Sequence, residues 1–282
     1  MARVLIAGCG YVGAALGEIL LRDSHDVWGL RRKPRSLPAG IEPIEADLAQ
    51  PQSLASLPDD LDVVFYLASP SGAEDTLYRL AYVDGLRALI GALDQQETRP
   101  RLFFASSTAV YRQRDGEWID ESSETAPEHW SGVRLLEGER LGLQLPLPAT
   151  VVRFGGIYGP RRTSLVDRVR SGRAVHHKGP PHYTNRIHRD DCAGALRHLM
   201  GLENPDSIYL GVDCDPAEER AVLRWLAGVL GAPEPRAAET KGTPDRPRGS
   251  KRCRNDRLLR SGYTFRYPTF REGYRAVLEG MV

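Results

Sequence analysis

Cysteine is sparse and scattered. The four thiols, Cys9, Cys192, Cys214 and Cys253, lie far apart with no C-x-x-C pair. That excludes a disulfide framework and a zinc-ligand spacing, and is consistent with free thiols in a reducing compartment. No run of 18 apolar residues occurs, so no membrane span is expected. The apolar stretch before Cys9 is shorter than the ~7–15 residues of a signal core, and the chain is read as cytoplasmic. Neither sign of charge is in excess. Lys and Arg number 38 and Asp and Glu 37, a net charge of +1, which gives no global attraction to nucleic acid or to an anionic membrane. What remains is a globular composition, 41% apolar and 27% charged over 282 residues. A chain of that length buries about three quarters of its unfolded surface without staples.

Short apolar runs alternate with helical stripes. Val4–Ala7, Asp26–Leu30, Leu61–Leu67, Leu102–Ala105 and Ala149–Phe154 read as strands. Val12, Leu16, Ile19 and Leu20 form a helical stripe, and Leu77, Leu80, Ala81, Leu89 and Leu93 mark a helix from about Asp75 to Gln95. A further helix begins near Pro127 and carries Leu135, Leu136, Leu141 and Leu143. Alternating strands and helices predict an α/β fold, a doubly wound parallel sheet of the Rossmann type. After Phe154, Gly155-Gly156 and Gly159-Pro160 interrupt the pattern. We therefore expect a cofactor domain over 1–154 and a smaller substrate lobe over 155–282. The chain is expected to return to the sheet near 205–215, at Ile208-Tyr209-Leu210. Helices are expected over Asp190–Leu202 and Pro216–Leu230, and a long loop over 232–249.

Gly8-Cys9-Gly10-Tyr11-Val12-Gly13 is G-x-G-x-x-G between a strand and a helix, the context that makes this pattern a dinucleotide site. The glycines allow a tight turn and close approach of a diphosphate to the free N–H groups of the helix N-terminus. The second strand ends Leu30-Arg31-Arg32-Lys33. An acid at this point holds the ribose hydroxyls of NAD. Here Arg31 and Arg32 stand instead and suit the 2′-phosphate of NADP. NADP is the expected cofactor, with NAD possible.

Further motifs resemble the extended and atypical short-chain dehydrogenases/reductases, including the NAD-dependent epimerase/dehydratase family. Ala46-Asp47-Leu48 is similar to the family's adenine-contacting D-[VL]. Leu67-Ala68-Ser69-Pro70 is similar to its segment along the cofactor. Ser106-Ser107-Thr108-Ala109-Val110-Tyr111 resembles S-S-x-x-V-Y-G, with Arg112 for the Gly. Arg153 with Tyr158-Gly159-Pro160 resembles R-x-x-N-x-Y-G-P, and Ile187-His188-Arg189-Asp190-Asp191 resembles I-H-V-x-D. The resemblance implies that Gly8, Gly10, Tyr11, Val12, Gly13, Asp47, Leu48, Leu67, Ala68 and Ser69 hold the cofactor. It also implies Ser107 and Thr108 as substrate-positioning hydroxyls, and a homodimer through helices near 75–95 and 128–144.

The departures bear on mechanism. The family's Tyr-x-x-x-Lys pair, one helical turn apart, matches Trp130-Ser131-Gly132-Val133-Arg134. Tryptophan has no titratable group. Arginine binds a ribose or phosphate but does not give up its proton. The family's Asn residues align with Asp84 and Gly156. This likens the chain to a sugar-nucleotide-epimerase-like branch with an eroded tetrad. Candidate replacement donors are Ser107, Tyr111, His129, Tyr158 and His188, with Trp130 as a wall against nicotinamide or substrate. Arg161, Arg162, Lys178, Arg186 and Arg189 suit an anionic substrate; Tyr158 and His188 join them on the substrate side. The basic run Arg246, Arg248, Lys251, Arg252 and Arg254 could close the same site. Two functions stay open: an NADP-dependent oxidoreductase or epimerase with a relocated donor, and a non-catalytic NADP-binding sensor or scaffold.

Overall fold

Period-two alternation of apolar side chains sets the layering. Val4 and Ile6 go to one face of the first strand, Leu5 and Ala7 to the other, and all four are fully buried. A strand apolar on both faces is the signature of a parallel sheet covered on both sides. The computed structural model describes all residues except 35, 95–98, 146, 239–248 and 282. Its strands are β1 (Arg3–Ala7), β2 (Asp26–Arg31), β3 (Glu42–Glu45), β4 (Val63–Tyr66), β5 (Arg101–Ser107), β6 (Asp115–Ile119), β7 (Ala149–Phe154), β8 (Gly156–Tyr158), β9 (Val175–His176), β10 (Tyr183–Thr184), β11 (Arg186–His188), β12 (Ile208–Gly211), β13 (Ala217–Glu218), β14 (Arg236–Ala237) and β15 (Ser250–Cys253). The helices are α1 (Tyr11–Arg22), α2 (Asp75–Arg79), α3 (Gly85–Leu93), α4 (Trp130–Leu143), α5 (Ser164–Arg170), α6 (Arg189–Gly201), α7 (Glu219–Leu230), α8 (Asp256–Arg260) and α9 (Phe270–Glu279).

Seven strands lie in the order β12-β7-β5-β4-β1-β2-β3, all parallel. This is the doubly wound Rossmann-type sheet. Leu16 and Leu20 of α1, with Leu196 and Leu199 of α6, cover one face. Leu86, Leu89 and Leu93 of α3 cover the other, with Leu141 and Leu143 of α4 packed against them. The strand order reverses between β1's two neighbours, β2 and β4, so the carboxyl ends of β1 and β4 border the ligand crevice. After β7 the chain builds a separate apolar cluster from Val166, Val169, Leu223, Leu226, Phe270 and Val277. It then returns to place β12 beside β7.

Several elements differ from the sequence pattern. β3 carries no alternating signal because only Ile44 of its four residues is buried; Pro43 suits it to the sheet edge. The helix expected from Asp75 to Gln95 is α2, a π-helical turn at Leu80–Asp84, and α3; Gln95 lies outside the described residues. Packing accompanies this turn. The Tyr66 hydroxyl donates to the Ala81 carbonyl, and α4 sits so close that a Cβ on Gly138 would stand 2.4 Å from the Tyr82 carbonyl oxygen. The helix expected near Pro127 starts at Trp130, where the His129 ring caps the Ser131 N–H. Pro216 precedes a short strand rather than opening a helix, since Ala217 pairs with Thr184. Most of the loop expected over 232–249 lies outside the described residues, but Arg236 and Ala237 pair with Val175 and His176.

Candidate functional site

The glycine loop leaves β1 and enters α1 with its backbone turned outward. Gly8 has φ +84°, and a Cβ there would stand 2.5 Å from the Ala68 backbone; only glycine permits this approach of the β1 and β4 ends. A Cβ on Gly13 would meet Ile6 at 2.9 Å, whereas one on Gly10 would meet nothing closer than the Gly8 carbonyl oxygen at 3.8 Å. α1 has no side-chain N-cap and no acid in its first turn, so its first N–H groups are free for an anion. The cradle thus fits the diphosphate of a dinucleotide. Leu67 lies beside it, its N–H on the Ala7 carbonyl at 2.8 Å, with Ala68 against Gly8 and Ser69 exposed. Arg31, half-buried, donates to Ser36 Oγ at 3.2 Å, and Arg32 is exposed. Asp47 takes the Ala49 N–H on its carboxylate, and Leu48 packs on Gly85.

Ser107 ends β5, and its Oγ accepts the Ala109 N–H at 3.2 Å. Thr108 opens the short turn that follows. The first turn of α4 closes on that turn, since a Cβ on Gly132 would lie 2.4 Å from the Ala109 carbonyl oxygen. Tyr78 from α2 and the N-cap residue His129 complete this wall. The Tyr78 ring of α2 meets Trp130 edge-on at 4.8 Å, and the His129 ring lies 4.6 Å from Trp130. His129 Nδ1 meets both the Ser131 N–H and the Ser131 hydroxyl, so a neutral imidazole either accepts the N–H with its proton on Nε2 or donates to the hydroxyl with its proton on Nδ1.

Arg134 does not stand free for a ribose. Its Nε and Nη2 donate to both oxygens of Asp75 at 2.7 and 2.9 Å, and Nη1 donates to Glu137 at 3.0 Å. Tyr111 is likewise corrected as a proton donor. It is 3% exposed, its hydroxyl donates to the Asp120 carbonyl and accepts from Arg153, and burial pushes it up to about 12. The same buried network joins Arg153 to Glu139 at 2.7 Å and Glu139 to Ser106.

Tyr158, Arg186 and His188 are withdrawn from the cleft as well. Tyr158 stacks on Tyr274 at 4.4 Å, and Arg186 lies over Phe270. His188 caps α6, accepting the Asp190 N–H on Nδ1, and burial holds its imidazole well below the usual range. Asp213, two residues past the end of β12, lies by Tyr158 and Arg186. Burial pushes its carboxyl up to about 8, against the pull of Arg186. The folded chain then holds a proton that an unfolded aspartate, titrating near 3.8, has released. This stability is present below about pH 4 and is lost as pH rises toward 8. Asp213→Asn is expected to remove that slope, so its gain over the parent in urea melts is larger at pH 8 than at pH 5. An equal gain at both would refute it.

Arg161 and Arg162 remain at the surface beside the glycine loop. Pro160 and Arg161 are the central residues of a turn closed by the Arg162 N–H on the Gly159 carbonyl at 3.0 Å. Arg161 has φ +67°, where a non-glycine residue costs about 1–2 kcal/mol. The basic run is dispersed. Lys251 is buried with Nζ on the Tyr111 carbonyl, Arg252 and Arg254 lie over Trp118, and Arg246 and Arg248 fall outside the described residues. Asp75, Tyr78, Glu139 and Asp213 were not singled out from sequence. Glu139 alone left a signal there, a lone acid on the helix face shared with Leu135, Leu136 and Gly142.

No helix among the described residues is long and apolar enough to cross a membrane, and no group of three or more His, Cys, Asp or Glu among them could hold a metal ion. Over 185 residues the chain is 27% identical to a Bacillus subtilis protein described as the uncharacterized UDP-glucose epimerase YtcB, which covers 57% of this chain and 58% of that one. The chain thus spans little more than half of that relative's length. Protein YeeZ of Escherichia coli K12 is 27% identical over 288 residues, 95% of this chain and 97% of YeeZ. A structure from Methylobacillus flagellatus, described as a candidate NAD-dependent epimerase/dehydratase, superposes with a TM-score of 0.80 at 34% identity, over 99% of this chain and 98% of that one. The model of the NAD dependent epimerase/dehydratase family matches residues 4–192, from the first strand through the glycine loop to the opening turn of α6. The chain belongs to that family.

Proposed function

We propose that the protein is an NADP-dependent oxidoreductase or epimerase acting on a small sugar-like substrate, with residues 1–154 and β12 forming the cofactor unit. The glycine cradle carries this reading, because Gly10 opens onto the free N–H groups of α1. A nicotinamide bound there would supply hydride transfer. The chain's own residues supply the rest. Ser107 orients a substrate oxygen with its hydroxyl proton while its lone pair holds the Ala109 N–H. His129 takes the place of the family's tyrosine at Nε2: the imidazolium gives its Nε2 proton as the acid, and the neutral ring with its proton on Nδ1, toward the Ser131 hydroxyl, takes one back as the base. Trp130 forms the wall beside it. Arg134, already held by two carboxylates, fastens α2 to α4. The engagement of Arg134 also favours a second reading, a cofactor-binding protein without turnover.

Arg31 and Arg32, with no acid at the end of β2, favour NADP over NAD. A charge-assisted contact is worth about 1.5–3 kcal/mol. Arg31→Ala with Arg32→Ala is therefore expected to weaken NADP binding tenfold or more and leave NAD binding unchanged. Calorimetric titration of both nucleotides checks this, and equal affinity of the parent for the two would overturn it.

A further inference from the structure

The turn at Gly159–Arg162 is fastened to the glycine loop by one residue of that loop. Tyr11 is the first residue of α1, and its hydroxyl donates to the Pro160 carbonyl at 2.8 Å. The Arg162 guanidinium lies 4.2 Å over the Tyr11 ring, and that of Arg189 lies at 5.4 Å. The two differ in charge balance. Arg189 is neutralised by Asp190 at 2.8 Å. Neither Arg161 nor Arg162 meets a carboxylate within 4 Å among the described residues, and the nearby Asp167 is occupied by the Thr163 hydroxyl at 2.8 Å. Two arginines without a carboxylate of their own therefore sit on a turn fastened beside a cradle that presents free N–H groups and has no acid in the first turn of α1. One of them is kept at φ +67°, a conformation that glycine would adopt without strain.

Beneath the turn, His188 Nε2 is buried without a protein partner, 3.2 Å from where a Cβ on Gly159 would stand and close to the Tyr11 hydroxyl at the same point. With Nδ1 accepting from Asp190 N–H, this nitrogen carries a proton. The Tyr11 hydroxyl hydrogen goes to the Pro160 carbonyl and the Asp190 carboxylate to Arg189, so the His188 Nε2 hydrogen is left without an acceptor.

Resting on the cofactor reading above, we propose that Arg162, with Arg161 beside it, is a diphosphate-binding residue of the dinucleotide, carried on a turn that Tyr11 ties to the glycine loop. Planar guanidinium forks match phosphate oxygens in pairs. Stacking on Tyr11 pre-orders the Arg162 fork, so less freedom is lost when the ligand arrives. The two arginines then act on the part common to NAD and NADP, unlike Arg31 and Arg32, which act on the 2′-phosphate alone.

The test is calorimetric titration of the full chain with NADP, NAD and AMP, the last lacking a diphosphate. Arg162→Met keeps the stem over Tyr11 and removes the charge. It is expected to weaken NADP and NAD alike by about tenfold or more, to leave AMP unchanged, and to melt with the parent. Arg161→Gly is expected to raise the melting temperature while weakening both dinucleotides, a combination that a purely structural turn does not give. Parental affinity for NADP and NAD in Arg162→Met would overturn the proposal, as would an equal loss for AMP. Arg161→Gly binding both as tightly as the parent would remove Arg161 from it. A parent chain that binds neither dinucleotide overturns the cofactor reading itself, and the two failures are told apart by the parent titration alone.

Discussion

Glu139→Ala is expected to lower the stability of the folded chain by about 3–5 kcal/mol, the cost of leaving one charge of a buried pair alone. Glu139 and Arg153 are 1% and 3% exposed. Without the carboxylate, the Arg153 guanidinium keeps only the Tyr111 hydroxyl, and the buried Ser106 hydroxyl loses its acceptor. At roughly 2–4 °C per kcal/mol for a chain near this size, the thermal midpoint falls by about 10 °C. Glu139→Gln keeps one acceptor oxygen for Ser106 and Arg153 but loses the charge and the second acceptor, and falls between the two. Scanning calorimetry decides it, and a Glu139→Ala chain melting with the parent would show that the pair is not a structural tie.

His129→Ala is expected to reduce turnover by about 10²–10⁴-fold, the usual contribution of a positioned acid and base. Trp130→Phe is expected to keep most of it, because an aromatic ring still packs against Tyr78 and His129. The substrate is found first, by following NADPH absorbance against a panel of sugar and carbonyl compounds. The two variants are then compared on the compound that turns over. Unchanged turnover in His129→Ala removes the imidazole from the mechanism. No turnover on any compound, from a parent that binds NADP, favours the cofactor-binding protein without chemistry.

The features visible in the sequence are those written in short, local patterns. The apolar runs of β1, β4, β5 and β7 are buried on both faces, so every residue reports its layer, and Gly8 and Gly13 are required by close approach of the Ala68 backbone and the Ile6 side chain. β3 escaped because an edge strand buries one residue in four. The site is less legible for a different reason. Arg134 reads as a ribose or phosphate ligand from its place in the helix, but its fate is decided by Asp75, fifty-nine residues away in sequence. Tyr111 and His188 look like free proton donors until the partners that bury them, Arg153 and the first turn of α6, are placed in space. Trp130 was recognised as a substitution, yet its neighbour Tyr78 lies on another helix and carries no motif.

The placement of β12 has a consequence for how the chain is made. β7 ends at Phe154, and the strand that covers its outer edge starts at Ile208. Synthesis proceeds at ~5–20 residues per second, so the open edge of β7 waits roughly three to ten seconds for its partner to be made. During that interval a row of unpaired N–H and C=O groups beside Val151 and Val152 is a template for another nascent chain. The protein is therefore most exposed to misassembly midway through its own translation, when the dinucleotide cradle is already complete and its sheet is one strand short.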